Sequence, residues 1–251
     1  MFDRRKFLAS LIACPACAAL PRMAQAAGPH FEYEGAAGPE KWGDLDQSFK
    51  ACSVGAEQSP IDLKGSVQAA FNRPQLDWKP QAFQVVNNGH TIQANAQAGS
   101  SMLLDGVKFN MAQFHFHTPS EHAIDGKRTA MEVHFVHAGP NGRLAVVGVL
   151  MKAGRRNNAF RDVMAVAPKK EGEVNLPKPV DPRAFLPAKR GMMRYEGSLT
   201  TPPCSEVVDW NVFTDPVDVA QSDIDAFKAI FPMNARPLQP VNRRYLLRRV
   251  S

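Results

Sequence analysis

The chain has 251 residues, 44% hydrophobic and 22% charged, with a formal net charge of +6. These values describe an ordinary globular chain of one or two domains and exclude a disordered or low-complexity one. Beyond the N-terminus, no apolar run is long enough to span a bilayer.

The first 26 residues read "MFDRRKFLASLIACPACAALPRMAQA". A basic start, an apolar middle and a small-residue ending at Ala24-Gln25-Ala26 make an export signal rather than a fold element. Arg4-Arg5-Lys6-Phe7-Leu8 is of the twin-arginine type, so the expected destination is the periplasm. Leu11-Ile12-Ala13-Cys14 also fits a lipoprotein cleavage site, which leaves lipidation of Cys14 open. The signal carries Arg4, Arg5, Lys6 and Arg22 against Asp3, a net +3, so the mature chain keeps only about half of the formal charge. With no basic stripe interleaved with aromatics, nucleic acid is not an expected partner. Arg243-Arg244 and Arg248-Arg249 are expected to be a solvated C-terminal segment. Of 4 cysteines, Cys52 and Cys204 remain after export, and an oxidising compartment predicts that they pair. Closing so long a loop stabilises by up to about 5 kcal/mol in the chain-entropy picture.

Residues 27–251 show no linker and read as one mainly β domain, a central, largely antiparallel twisted sheet with a few short peripheral helices. "FQVVNNGHTIQANA" is a strand, an Asn-Gly bend and a second strand. "SMLLDGVKFNMAQFHFHT" predicts a hairpin at Asp105-Gly106 and then a strand through His117. "TAMEVHFVHAG" alternates in the manner of a strand. "LAVVGVLMKAG" is continuously apolar, as in a strand buried on both faces. "EVVDWNVFTDPVDV" is a strand pair or one long strand. "AQSDIDAFKAIF" predicts a helix capped by Ser222 or Asp223, with Ile224, Phe227, Ile230 and Phe231 on one side.

Three of the 7 histidines lie in "QFHFHTPSEH". Strand alternation sends His115 and His117 to one face with Gln113, and Phe114 and Phe116 to the other. On the next strand Glu132, His134 and Val136 share a face, opposite Val133, Phe135 and His137. If the two strands pair antiparallel, His134 lies beside His115 and His117. Three imidazoles make a catalytic zinc donor set. Such ligands need their second nitrogen anchored, and Gln113 and Glu132 are placed to do so. His-x-His also occurs in ordinary strands, so spacing leaves a metal-free pair open. "HFHTPSE" also fits the His-x-His-x3-Glu core of a cupin site, with Glu121 as ligand. The glycine that pattern requires before the first histidine is replaced by Phe109, and no second histidine block follows.

Taken together, "QFHFHTPSEH", "MEVHFVH", "NNGHTIQ", "YEGSLTTPPCSE", "EQSPIDL", "GPEKW" and "NARPLQP" resemble the alpha-class carbonic anhydrases, in particular the bacterial exported branch. The resemblance spans about residues 31 to 248. It implies reversible hydration of carbon dioxide to bicarbonate and a proton, by zinc hydroxide attack with a histidine shuttle. By resemblance His115, His117 and His134 bind zinc. Gln113, Glu132 and the carbonyl of Asn234 orient them. Thr200 relays a hydrogen bond between the zinc-bound group and Glu121, and Thr201 meets substrate or its waters. His90 shuttles the proton along waters lined by Tyr33, Asn88 and Gln93; Gln93 replaces an asparagine commonly seen there. Val136, Val146, Leu199 and Trp210 wall the carbon dioxide pocket. His122 and His137 are expected to be buried and structural. The resemblance also implies cis bonds before Pro60 and Pro203, and a monomer or homodimer.

Overall fold

Apolar residues alternating along short segments build a 12-stranded mixed sheet. The computed structural model describes residues 29–249, so the expected export signal with Cys14 and Cys17 lies outside the described residues. In chain order the strands are β1 (Val67–Gln68), β2 (Gln75–Asp77), β3 (Phe83–Asn87), β4 (Ile92–Ala96), β5 (Ser101–Leu104), β6 (Val107–His117), β7 (Met131–Ala138), β8 (Leu144–Ala153), β9 (Gly172–Asn175), β10 (Met192–Gly197), β11 (Val208–Val219) and β12 (Leu247–Arg249). The main path runs β1-β12-β10-β11-β8-β7-β6-β4-β3-β9, with β5 joining β6 to β2. Among the described strands, only the β8–β11 and β1–β12 pairs are parallel. Among the described residues no helix is long and apolar enough to cross a membrane.

Local chemistry explains the turns. Asp105 and Gly106 both have positive φ, 47° and 80°, the mirror-image turn that suits a two-residue hairpin. β8 is buried from Ala145 to Met151 because Ala145, Val147, Val149 and Met151 pack in one core cluster while Val146, on the opposite face, packs in another, which accounts for its unbroken apolar run. "EVVDWNVFTDPVDV" resolves as one long strand with a register shift between Phe213 and Val217.

A β-bulge in β6 decides where the histidines point. Phe109 and Met111 are buried in the main core, and so are Phe114 and Phe116. Their numbers change parity because the register slips between Met111 and Gln113. The extra residue, Ala112, keeps one face of the strand continuously apolar while sending Gln113, His115 and His117 to the other. Behind them Phe114 meets Phe83, Phe116, Phe135 and Phe185 at ring separations of 4.9 to 5.8 Å.

Four expectations need correction or addition. The C-terminal helix is Gln221–Lys228 and its N-cap is Ala220, without a side-chain cap. Ser222 and Asp223 fall inside the first turn, where the Asp223 charge still favours the positive helix end. Arg244 is not a solvated charge. It donates to the carbonyls of Val241, Glu196, Gln58 and Pro240 and lies over the Tyr195 ring at 5.5 Å. Arg248 and Arg249 belong to β12, so this segment is sheet rather than tail. The Ser59-Pro60 and Pro202-Pro203 bonds are cis, as is Thr118-Pro119, which was not anticipated.

His137, on the core face of β7, is fully buried. Its Nε2 accepts a hydrogen bond from Trp78 Nε1 at 2.9 Å, and its Nδ1 donates to the Ala145 carbonyl at 3.2 Å. Burial pushes its pKa down to about 4, the Ala145 bond opposing only in part. Between pH 6.5 and 4 the unfolded chain therefore binds a proton that the folded chain refuses. This contribution is intact above pH 6.5 and lost as pH falls to 4, by about 3 kcal/mol. Urea unfolding at pH 7 and pH 4.5 is expected to show a smaller acid loss in His137→Gln than in the parent, and an equal loss would contradict the assignment.

Candidate metal centre and active-site cleft

Antiparallel pairing of β6 and β7 sets His115 directly opposite His134, with His117 opposite Glu132. The three rings converge, with centroids 4.6 to 5.3 Å apart, and one nitrogen from each lies within 4.8 Å of the others. Two of the rings are held by their other nitrogen. His115 Nδ1 donates to Gln113 Oε1 at 2.8 Å and His117 Nδ1 donates to the Asn234 carbonyl at 2.8 Å. His134 Nε2 lies 3.0 Å from Glu132 Oε1, off the line of a good hydrogen bond. That leaves Nε2, Nε2 and Nδ1 facing one point.

The electrostatics favour neutral imidazoles. Burial, then the neighbouring His117 and His134, hold His115 well below the usual histidine range. Burial likewise lowers His117, although Glu121 opposes it. Neutral imidazole is the ligating form. His117 Nε2 is buried without a hydrogen-bond partner, an expense a folded chain rarely tolerates unless another atom completes it. Donor chemistry, anchoring and this orphaned nitrogen all fit a single zinc ion.

Around the ligands runs a buried polar chain. Glu132 receives the His122 backbone N–H on Oε2 and His122 Nδ1 on Oε1, both at 2.8 Å. Burial alone would raise its pKa, but His122 and His134 outweigh it and hold the carboxylate well below its usual range. A Cβ at Gly148 would sit 2.9 Å from Glu132 Oε1, so the glycine opposite His134 makes room for this carboxylate. His122 Nε2 contacts Tyr195 Oη at 2.6 Å, and Tyr195 donates to Ser59 Oγ at 3.0 Å. Ser59 in turn binds Ser198, at the start of the segment carrying Thr200.

Glu121 is fully buried. Its Oε1 accepts the Arg236 backbone N–H at 2.9 Å. Its Oε2 lies 3.5 Å from His117 Nε2 and 3.8 Å from His134 Nδ1, and has no hydrogen-bond partner. The Thr200–Glu121 bond implied by resemblance is thus not formed in this structure. Arg236 is a feature that spacing did not reveal. Its guanidinium is buried, donates to Gln58 Oε1, Ser59 O and Cys52 O, and lies over Trp42 at 5.5 Å. Burial lowers its pKa to about 10, against the Glu121 charge, so it stays cationic at neutral pH.

The ligands floor a cleft of about 230 Å³. Val136, Val146, Leu199 and Trp210 line it, together with Thr200, Thr201, Tyr33, Asn88, His90 and Gln93. Burial, then the Glu121 charge, keep the Tyr33 phenol well above its ordinary pKa, so it remains a neutral donor. Phe31 and Thr91 also line the cleft and were not singled out from the sequence. Phe31 stacks on the His90 ring at 3.9 Å and 11°. Trp42 holds that N-terminal segment in place by donating to the carbonyls of Glu32 and Ala37. Cys52 and Cys204 are disulfide-bonded, and the Cys204 N–H donates to the Thr201 carbonyl at 2.9 Å, closing the turn that follows Thr200.

Fold and pocket together define a mixed-sheet protein whose three-imidazole donor set suits a catalytic metal at the base of an apolar-walled cleft. A family model described as eukaryotic-type carbonic anhydrase matches residues 37–250. A carbonic anhydrase of Nostoc sp. is 39% identical over 235 residues, covering 89% of this chain and 88% of its own. One from Neisseria gonorrhoeae is 38% identical over 234 residues, covering 92% and 93%. Among solved structures, the alpha-carbonic anhydrase from Thermovibrio ammonificans in complex with the inhibitor sulfanilamide has TM-score 0.86 and 41% identity, over 88% of this chain and all of that one. The chain belongs to the alpha, or eukaryotic-type, carbonic anhydrase family, and it is an enzyme of carbon dioxide hydration. The cupin alternative falls with the fold.

Zinc content by plasma emission is expected to drop from one ion per chain to a trace in His134→Ala. Gln113→Ala, which frees the His115 ring without removing a ligand, is expected to weaken zinc by about 10- to 100-fold in a chelator competition. Stoichiometric zinc retained in His134→Ala would overturn the ligand set.

Proposed function

We propose that the mature chain, residues 27–251, is an exported zinc carbonic anhydrase that uses His90 as its proton shuttle. The observation that carries the reading is the convergence of three imidazoles, His117 and His134 buried and His115 partly so, beside an apolar wall. His115, His117 and His134 hold the ion. Zinc, when bound, acts as a Lewis acid that lets water give up a proton near neutral pH. Every other part is supplied by the chain.

Carbon dioxide is apolar and needs an apolar seat, which Val136, Val146, Leu199 and Trp210 provide. Thr200 has one hydroxyl proton to give. Glu121 Oε2, buried and lacking a hydrogen-bond partner, is the acceptor that fixes its direction. With its proton committed to Glu121, the Thr200 oxygen can only accept from the reacting water, which aims that water at the substrate. Thr201, Tyr33, Asn88 and Gln93 line the water path toward His90. Asn88 Oδ1 is occupied by the backbone N–H groups of His90 and Thr91, so only its amide nitrogen faces that path. His90, half-buried at the rim, takes the proton from this path and passes it to solvent.

Residues 1–26 act as the signal, and the periplasm is the working compartment. The Cys52–Cys204 disulfide supports an oxidising destination.

Stopped-flow carbon dioxide hydration tests the reading. Stripping zinc with a chelator is expected to abolish activity, and added zinc to restore it. His90→Ala is expected to lower kcat in weak buffer by roughly 10- to 100-fold while leaving kcat/KM near the parent value, with added imidazole restoring kcat. If imidazole does nothing for the variant, His90 is not the shuttle.

A further inference from the structure

Asn234 stands more than 100 residues from β6, yet it is fully buried against it, and each of its polar groups has a partner. Its N–H donates to the Thr118 carbonyl at 3.0 Å. Its own carbonyl accepts from His117 Nδ1 at 2.8 Å. Its side chain does something different from this backbone contact. Oδ1 accepts the Thr118 N–H at 2.7 Å, while Nδ2 donates to the His90 carbonyl at 3.0 Å and the Phe116 carbonyl at 2.9 Å. One residue therefore grips the ligand His117 with its backbone and the shuttle residue His90 with its side chain.

A second tie joins the same two places. Thr91, next to His90, donates Oγ1–H to the Phe116 carbonyl at 2.5 Å and accepts the Phe116 N–H at 3.3 Å. Phe116 lies between the two ligands of β6. Regular pairing of β4 with β6 begins at Gln93 opposite His115, so the 88–91 turn is beyond the ladder. Side chains, not sheet hydrogen bonds, fasten it to the metal strand. The Asn234 site requires two N–H donations and one acceptor at a fixed short reach, which an asparagine amide offers and an aspartate does not.

We propose that the Asn234 side-chain amide is a positioning residue that sets the distance between the His90 shuttle and the ligand His117, making turn and metal strand one rigid unit. The inference rests on the zinc and shuttle reading above. Proton transfer through waters is steep in distance and orientation, so loosening this clamp acts on the proton step more than on attack at carbon.

The test uses zinc-loaded full-length mature protein, comparing the parent with Asn234→Ala and Asn234→Asp. Both variants keep the backbone carbonyl that His117 needs. Asn234→Asp also keeps the acceptor for Thr118, and so carries the test if the alanine variant does not fold. In weak buffer, kcat is expected to fall about tenfold more than kcat/KM, with imidazole recovering it. Amide exchange followed by mass spectrometry is expected to speed up over residues 88–92, including the His90 and Thr91 amides. Equal falls in kcat and kcat/KM with no imidazole recovery, or unchanged exchange over 88–92, would overturn the proposal. A parent enzyme that needs no zinc, or a parent whose activity survives His90→Ala, would instead sink the underlying reading.

Discussion

The antiparallel pairing of β6 with β7, with one extra residue in β6, is the constraint on which the site depends. Alternation along a strand is strict, so a single slip exchanges the faces of every residue beyond it. Here the slip at Ala112 lets Phe109, Met111, Phe114 and Phe116 share the aromatic core while Gln113, His115 and His117 face the cleft. Burying four large apolar side chains holds the strand in place by several kcal/mol. The histidines inherit that rigidity. Because His115 and His134 are direct cross-strand partners, their separation follows from sheet geometry and not from a flexible loop.

The second principle is that each buried charge is answered. Glu132 is ringed by His122 and His134, and Glu121 by the Arg236 backbone and guanidinium field. Removing water from such groups is expensive unless they are paired and hydrogen-bonded. The network from Glu132 through His122, Tyr195 and Ser59 to Ser198 meets that demand and links the ligand strand to the Thr200 segment. Among the buried side-chain atoms left without a partner are His117 Nε2 and Glu121 Oε2, which lie 3.5 Å apart where the imidazoles meet. Two such atoms side by side at a three-histidine cluster fit a site completed by something other than the chain.

What could be read from the sequence follows from range. His115 and His117 are two apart on a strand, so their shared face was visible in period alone. His134 became their partner once the intervening Pro119 and Asp125-Gly126 were read as a return of the chain. The Asp105-Gly106 hairpin and the β8 run were equally local. The bulge at Ala112 was not visible, because "NMAQ" has no glycine or proline to announce it. Arg236 and the Asn234 side chain act on residues 58 and 90, and nothing in local pattern ties such distant positions. Phe31 was overlooked because its role, stacking on His90, depends on a non-regular N-terminal segment pinned by Trp42. The paired arginines near the terminus suggest a solvated segment, but the Tyr195 ring and four carbonyls hold the half-buried Arg244 side chain. Gly148 reads as one more residue of an apolar strand; the nearby Glu132 carboxylate and the Val212 side chain leave little room for a side chain there.

A crystal structure of the purified mature protein, with diffraction recorded on both sides of the zinc absorption edge, tests the central claim most directly. The account requires one zinc peak bonded to His115 Nε2, His117 Nε2 and His134 Nδ1 at about 2.0 to 2.1 Å, with solvent as the remaining ligand. A peak bonded to Glu121, or lying off any one of those three nitrogens, would contradict it.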